Sequence, residues 1–125
     1  MSLDRFIQTG FESILSLEEV LVFCRGEGMS LHAFCDAFAT HVATAYLVGE
    51  IDFDYGDEAM NSLFGMMASE PFFKETQSTI PKMAYAIYEA FDAGEYFHPG
   101  DAQNDDPEEK YTRPRLKQLL AANGE

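Results

Sequence analysis

The chain has 125 residues, of which 46% are hydrophobic, and it carries a formal net charge of −14 at pH 7. Eleven Phe and six Tyr give it a globular rather than a disordered composition, and its length suits one domain. No apolar run approaches the ~20 residues of a membrane-spanning helix, and no basic stretch followed by an apolar segment opens the chain. We therefore expect a single cytoplasmic domain, residues 1–125.

The charge is unevenly distributed along the chain. Residues 1–109 contain 21 Asp or Glu and four Lys or Arg, a balance of −17, whereas residues 110–125 have a balance of +3. So negative a surface repels nucleic acid and anionic membranes and attracts basic proteins. We therefore expect neither a nucleic-acid nor a membrane partner. The alternative is a solvated surface that only keeps the protein in solution.

Cys24 and Cys35 each lie in a run of apolar residues. Their spacing matches no metal-binding or C-x-x-C motif. We expect two reduced thiols buried in the core, which is the usual state of intracellular cysteine; a disulfide or a reactive thiol is the alternative.

Apolar residues recur at helical spacing over residues 3–25, with an interruption expected at Gly10. Ser16 and Glu19 match a capping box, so a second helix can begin there. The glycines of residues 26–28 predict its end, because Gly readily adopts the left-handed conformation that ends helices.

Ser30 is suited to cap the next helix, whose apolar positions continue to about Gly49. Residues 51–55 then alternate apolar and acidic side chains, which predicts a short strand or an extended linker. Asp57 is the expected cap of a helix that begins directly afterwards.

Pro71 breaks that helix, because the residue before proline is pushed away from helical geometry. A short helical turn is predicted over residues 72–77. Ser78 or Thr79 is the expected cap of the following long helix, with Pro81 in its first turn.

Gly94 ends that long helix, and a connection follows before the last helix. Thr112 is the expected cap of the last helix, with Pro114 in its first turn, and residues 106–109 resemble one extra capped turn inside the connection. The sequence therefore predicts an all-α, single-domain bundle of five to six helices with one long ordered connection.

This connection, residues 95–111, is the candidate binding site. It is longer than the roughly two to eight residues usual between helices, and loops on a rigid scaffold often carry binding groups. Tyr96 and Phe97 are expected to contact a partner; the alternative is that they fold back as a lid over the helix. The candidate partner-binding residues are Tyr96, Phe97, His98, Asp101, Asp105, Asp106, Glu108 and Tyr111.

No motif predicts catalysis or a metal site. Neither Asp52 nor Asp101 begins an EF-hand loop, because the sixth position is not Gly. His32 and Asp36 lie four residues apart, which is the spacing of a solvated pair on a helix surface and too few ligands for a metal. No nucleophile elbow, phosphate loop or H-E-x-x-H motif is present. We predict no enzyme activity, no metal and no cofactor. The alternative to this prediction is a metal enzyme, whose candidate ligands are His32, His41 and His98.

The connection resembles a known family. The orders E-Y-F-H-P-G-D at residues 95–101, D-D-P-E at residues 105–108 and A-A-N-G at residues 121–124 are similar to the C-terminal half of colicin-type nuclease immunity proteins. Those are small, acidic, helical bacterial inhibitors that clamp a basic toxin with an aromatic pair before a proline and with nearby carboxylates. The resemblance implies that Tyr96 and Phe97 are aromatic anchors and that Asp101 is a flanking acid. His98 is an additional residue before the proline, and residues 1–80 do not match the family.

Two functional hypotheses follow. The first is a non-catalytic immunity or inhibitor protein that neutralises a basic protein partner, such as a toxin, through residues 95–111. The second is a structural or small-ligand-binding helical domain that forms a homodimer through its Met- and Phe-rich helices at residues 60–67 and 80–91.

Overall fold

The helix that follows Ser30 occupies the centre of the molecule. The computed structural model describes residues 5, 6, 8, 15–102 and 104–124. In these residues the chain forms six α-helices and no strand, which confirms the all-α prediction. The helices are α1 (Leu17–Glu27), α2 (Leu31–Leu47), α3 (Phe53–Met67), α4 (Glu70–Glu75), α5 (Lys82–Ala93) and α6 (Arg113–Gly124), and a π-helical turn (Glu108–Thr112) leads directly into α6.

The core forms around α2 and α5. Helix α2 contacts α1, α3, α5 and α6, and α5 also contacts α3, α6 and the π-helical turn. Fully burying one Phe, Leu or Val side chain stabilises a fold by about 1.5–3 kcal/mol, so the apolar side chains buried between these helices supply most of the stability. None of the helices in the described part of the chain is long and apolar enough to cross a membrane. The largest fully buried side chains include Phe34, Phe38, Tyr46, Met60, Leu63, Phe72, Ile87, Phe91 and Leu116.

Aromatic rings pack at both ends of α2. Near its beginning, Phe34 contacts the ring of Phe23 with a centroid separation of 5.9 Å. Near its end, Tyr46 lies 5.4 Å from Phe91 and 6.2 Å from Phe53. These edge-on and tilted pairs are favourable ring geometries, and the second group forms the base under the candidate site.

The predicted caps of the first two described helices are confirmed. The Ser16 hydroxyl accepts a hydrogen bond from the Glu19 amide, and the Ser30 hydroxyl accepts one from the Ala33 amide. Gly28 ends α1 with a φ of 66°, the left-handed conformation that favours glycine. Apart from Arg5, Phe6 and Gln8, the predicted helical residues 3–14, including the interruption at Gly10, lie outside the described residues.

The prediction of a strand or extended linker at residues 51–55 is wrong. Asp52 caps α3 by accepting a hydrogen bond from the Tyr55 amide at 2.9 Å, so Asp57 lies inside the helix and not at its start. Phe53 in the first turn packs on Phe91, whereas Tyr55 is exposed, so the alternating apolar residues do not share one buried face. Gly56 is buried, and a Cβ there would lie 2.7 Å from the Phe91 ring.

Helix α3 ends at Met67, which agrees with the predicted break before Pro71. The next helix, α4 (Glu70–Glu75), is capped by Ser69 and includes Pro71 in its first turn. It therefore begins and ends two residues before the predicted turn. Proline is accepted there because the first amides of a helix have no partner within the helix.

The predicted cap of α5 is also wrong. Ser78 has a left-handed φ of 64°, and α5 begins at Lys82 with Pro81 as a cap residue that makes no side-chain hydrogen bond. The capping group comes from α2, since the Asp36 carboxylate accepts a hydrogen bond from the Ala84 amide at 2.8 Å. His32 contacts the Thr79 hydroxyl in the α4–α5 connection at 2.9 Å. His32 and Asp36 therefore bind different parts of the chain and do not form a solvated pair.

Thr112 does not cap the last helix, because helical geometry begins earlier. Pro107 already has helical backbone angles, and Asp106 accepts a hydrogen bond from the Glu108 amide at 3.0 Å. The extra turn predicted at residues 106–109 is therefore the start of the last helical stretch. The irregular part of the connection, residues 95–111, consequently ends at Asp106.

Cys24 and Cys35 are buried and are not bonded to each other, as predicted. Burial raises the pKa of both thiols, and for Cys35 the neighbouring Asp36 carboxylate adds to the shift. Because the thiolate is the reactive form of cysteine, both residues act as apolar core side chains.

Candidate functional site

The two ends of the connection are held together at its base. The buried Thr112 hydroxyl donates to the Ala90 carbonyl at 2.7 Å, and this bond satisfies one of the carbonyls that lose a partner where α5 ends. A Cβ at Gly94 would overlap Thr112 Oγ1 and lie 3.1 Å from the Phe53 ring. Only glycine therefore allows this close approach of α5 to the π-helical turn.

Asp101 is the centre of the connection. Its carboxylate accepts hydrogen bonds from the His98 amide at 2.8 Å, from Lys110 Nζ at 2.6 Å and from the Tyr111 hydroxyl at 2.5 Å. The Asp101 side chain is only 2% exposed. These donors, with Lys110 first, hold the pKa of Asp101 well below its ordinary value, so the carboxylate is ionised. It locks the connection onto the π-helical turn.

Asp105 closes a second turn in the same way. Its carboxylate accepts hydrogen bonds from the Ala102 amide at 2.8 Å and from Lys110 Nζ at 3.2 Å. The Asp105 amide in turn donates to the Ala102 carbonyl at 3.0 Å. Lys110 therefore bridges Asp101 and Asp105 and neutralises part of their charge. Sequence reasoning missed Lys110, although it is the first Lys or Arg after Lys82 and follows directly on the acidic run.

The His98 ring lies between two tyrosines. Its centroid is 4.7 Å from that of Tyr96 and 4.0 Å from that of Tyr111. His98 Nε2 lies 2.8 Å from the Ala93 carbonyl, and because a carbonyl only accepts, Nε2 carries a hydrogen. His98 thus ties the exposed Tyr96 to the fixed base of the connection.

Tyr96 and Phe97 are the exposed aromatic residues of the connection. Their exposed fractions are 51% and 55%, so they do not fold back as a lid over α5. Large aromatic side chains usually bury most of their surface. Two adjacent exposed aromatics on a connection locked by hydrogen bonds form the most prominent apolar feature of the site.

The acidic candidates divide between internal and exposed positions. Asp101 and Asp105 are bonded within the connection, and Glu108 accepts a hydrogen bond from the Tyr46 hydroxyl. Asp106 is exposed and acts as a cap. The structure thus brings Tyr96, His98, Asp101 and Tyr111 together, while Asp106 and Glu108 lie at the start of the last helical stretch.

A further carboxyl group, that of Asp57, lies beside the connection and was not predicted from the sequence to belong to the site. Burial, a hydrogen bond with Glu95 and repulsion from Asp92 and Asp54 raise the pKa of Asp57 to about 8. Asp57 therefore holds its proton to a higher pH than an isolated aspartic acid does, and its hydrogen-bond partner Glu95 is the residue before the aromatic pair. No local signal marks this contact, because it depends on the packing of α3 against α5.

An open cleft of about 710 Å³ lies on the other side of the π-helical turn. The end of α2, the first turn of α3 and the start of the last helical stretch form its walls. The guanidinium of Arg113 lies 4.7 Å from the centroid of the Tyr46 ring and 3.0 Å from Glu109. The lining residues are Tyr46, Gly49, Glu50, Ile51, Asp52, Phe53, Asp54, Tyr55, Glu108 and Arg113.

The fold and site together define an acidic all-α bundle that presents a locked aromatic connection. Comparison with protein-family models, with curated proteins and with solved structures finds no match to this chain. The functional argument therefore depends on the geometry of the described residues.

Proposed function

We propose that this chain is a non-catalytic binding protein that recognises a basic protein through the connection at residues 95–111. The observation that carries the proposal is the exposure of Tyr96 and Phe97 on a connection that the Asp101 carboxylate locks in place. An aromatic side chain that is buried at the centre of an interface can contribute about 2 kcal/mol or more. An ordered loop loses little further entropy when it binds.

The charge of the chain supports a basic partner. A formal net charge of −14 attracts cationic proteins and speeds their encounter at low salt. Glu95 directly precedes the aromatic pair, and the exposed Asp106 and Glu109 lie near the other end of the connection. In such an interface the rings supply affinity and the carboxylates supply orientation.

Within this class, an immunity or inhibitor role is the specific proposal. The resemblance at residues 95–124 to colicin-type nuclease immunity proteins favours it, and so does the aromatic pair beside acidic side chains. The homodimer alternative has less support, because its proposed contact residues are largely in the core of the chain. These buried residues include Met60, Met66, Met67, Ile87 and Phe91.

The test begins with the purified chain as bait for proteins of its source organism, at about 50 mM and about 300 mM NaCl. The expected result is a stoichiometric basic protein that is lost at the higher salt concentration. Recovery of the chain alone, as a dimer insensitive to salt, would instead support the alternative.

Calorimetry with the purified partner then locates the interface. We expect Y96A and F97A each to weaken binding about 30-fold, which corresponds to about 2 kcal/mol. The matched control is the V22A/I80A double variant, which removes exposed apolar side chains elsewhere and should leave the Kd unchanged. A folded Y96A/F97A variant with the wild-type Kd would refute this placement of the interface.

A further inference from the structure

Two carboxyl groups meet where the connection leaves α5. The side chain of Asp57, on α3, forms a hydrogen bond with the side chain of Glu95, the residue directly before Tyr96. Ionised carboxylates can only accept hydrogen bonds, so this contact exists only while the pair holds at least one proton. A group that titrates therefore joins α3 to the start of the connection.

The groups around Asp57 favour the protonated pair. Asp57 is partly buried, and the carboxyl groups that act on it are Glu95, Asp92 on α5 and Asp54 on its own helix. Burial and these carboxyl groups raise the pKa of Asp57 to about 8. The Tyr88 hydroxyl faces the same group from α5, and its pKa is also raised, by burial and by the carboxylates. The pair thus holds its proton in a pH range where an isolated carboxyl group has lost it.

The other end of the connection is held by groups that keep their charge. Hydrogen bonds from Lys110 and Tyr111 hold the pKa of Asp101 well below its ordinary value, and Asp101 raises the pKa of Lys110. The ion pair between Lys110 Nζ and Asp101, at 2.6 Å, therefore persists from about pH 5 to about pH 9. At the α5 end, the Glu95 amide donates to the Asp92 carbonyl at 3.1 Å, so the backbone stays attached if the Glu95 side chain moves away.

We propose that Asp57 and Glu95 form a proton-dependent latch that holds the start of the connection to α3. While the pair holds a proton, the hydrogen bond keeps the latch closed. When the proton is released to water, the two adjacent carboxylates repel each other and the Glu95 side chain turns into solvent. One more negative charge then lies beside the aromatic pair.

Opening of the latch has a consequence for binding. An additional carboxylate beside Tyr96 and Phe97 should make encounter with a basic protein faster, because opposite charges steer association. This consequence rests on the proposed function. The latch itself does not, since it depends only on contacts within the chain.

The first test is a ¹³C NMR titration of the side-chain carboxyl carbons in the labelled chain. We expect the carboxyl carbons of Asp57 and Glu95 to share a titration step near pH 8, because interacting groups titrate as a pair. In E95Q the new amide can donate to ionised Asp57, so the midpoint of the Asp57 step should fall by about two pH units. The control E89Q removes the same charge at an exposed position on α5 and should move the midpoint by less than about 0.3 pH units.

The second test measures release of the connection. The substitution Phe97→4-fluorophenylalanine places a ¹⁹F label on the aromatic pair, and its signal can be followed at alkaline pH. Between about pH 7 and about pH 9 we expect this signal to shift and to narrow as the ring becomes more mobile. In D57N the signal should stay constant, because the Asn amide can donate to Glu95 at every pH in this range. The E89Q variant should follow the wild type.

Two results would overturn the proposal. Separate titration steps for Asp57 and Glu95 at ordinary carboxyl values would show that no proton joins the two groups. A ¹⁹F signal that changes equally in the wild type and in D57N would show that the connection does not depend on the latch. Neither measurement involves a partner, so failure of the latch leaves the proposed interface standing, and failure of the interface leaves the latch standing.

Discussion

The hydrogen bond between Thr112 and Ala90 is expected to hold the candidate site to the core, and T112V tests this. Valine has nearly the shape of threonine, so the substitution replaces a hydroxyl with a methyl group and creates no cavity. The Gly94 amide donates to the Phe91 carbonyl and not to the Ala90 carbonyl. The Ala90 carbonyl accepts from the Thr112 hydroxyl, and T112V removes this donor.

The expected cost follows from burial. Thr112 is fully buried, and a buried polar group left without its partner costs about 1–3 kcal/mol. We therefore expect T112V to lower the free energy of unfolding by about 2 kcal/mol. With a urea slope of about 1.5 kcal/mol/M, the midpoint of unfolding would fall by about 1.3 M.

The control is T112S, which keeps the hydroxyl and loses one methyl group. Its expected cost is about 1 kcal/mol from lost apolar burial, so it should be the milder change. Urea unfolding followed by circular dichroism measures both variants. A T112V variant that loses less than about 0.5 kcal/mol, or less than T112S, would show that the bond does not stabilise the base of the connection.

Three further predictions follow from the same region. G94A should cost at least about 2 kcal/mol, because its Cβ overlaps Thr112 Oγ1; in a T112A background the cost should fall by about 1 kcal/mol, and additive costs would contradict the proposed overlap. The pKa of Asp57 is raised to about 8, so the folded state binds more protons than the unfolded state, and stability should fall as the pH rises from about 4 to about 8. D57N should remove this decline, which is measured as the urea midpoint of both proteins across that pH range. An equal decline in D57N and in the wild type would show that Asp57 is not the group responsible. D101N should speed hydrogen exchange at the His98 amide about tenfold or more while the amides of α2 keep their protection; an unchanged His98 rate would mean that the carboxylate does not lock the connection.

Local chemistry explains which parts of the fold could be predicted. Ser16 and Ser30 cap helices through amides three residues ahead, and such caps are visible in the sequence. Asp52 is an equally local cap, but the alternating side chains after it carry the pattern of a strand. The Asp36 cap of α5 is not visible in this way, because its acceptor and donor lie 48 residues apart.

The candidate site could be located from the sequence, but its internal contacts could not. The composition of the connection made Tyr96 and Phe97 candidates, but it left open whether they are exposed or fold back on the helix, and the structure shows them exposed. It did not distinguish Asp101, whose side chain is almost fully buried, from the exposed Asp106. The burial of each side chain depends on the path of an irregular segment, which the composition does not define. The pairing of Asp57 with Glu95 depends on the packing of two helices, and no residue pattern encodes that packing locally.

The Asp101 network also determines the thermodynamics expected of an encounter at the connection. A segment that becomes ordered on binding costs about 0.5–1.5 kcal/mol for each immobilised flexible side chain, and coupled folding produces a large negative heat-capacity change. Here Asp101 and Asp105 each close a turn before any partner arrives. Complex formation would therefore proceed as rigid-body docking, with a heat-capacity change set by the contact area alone.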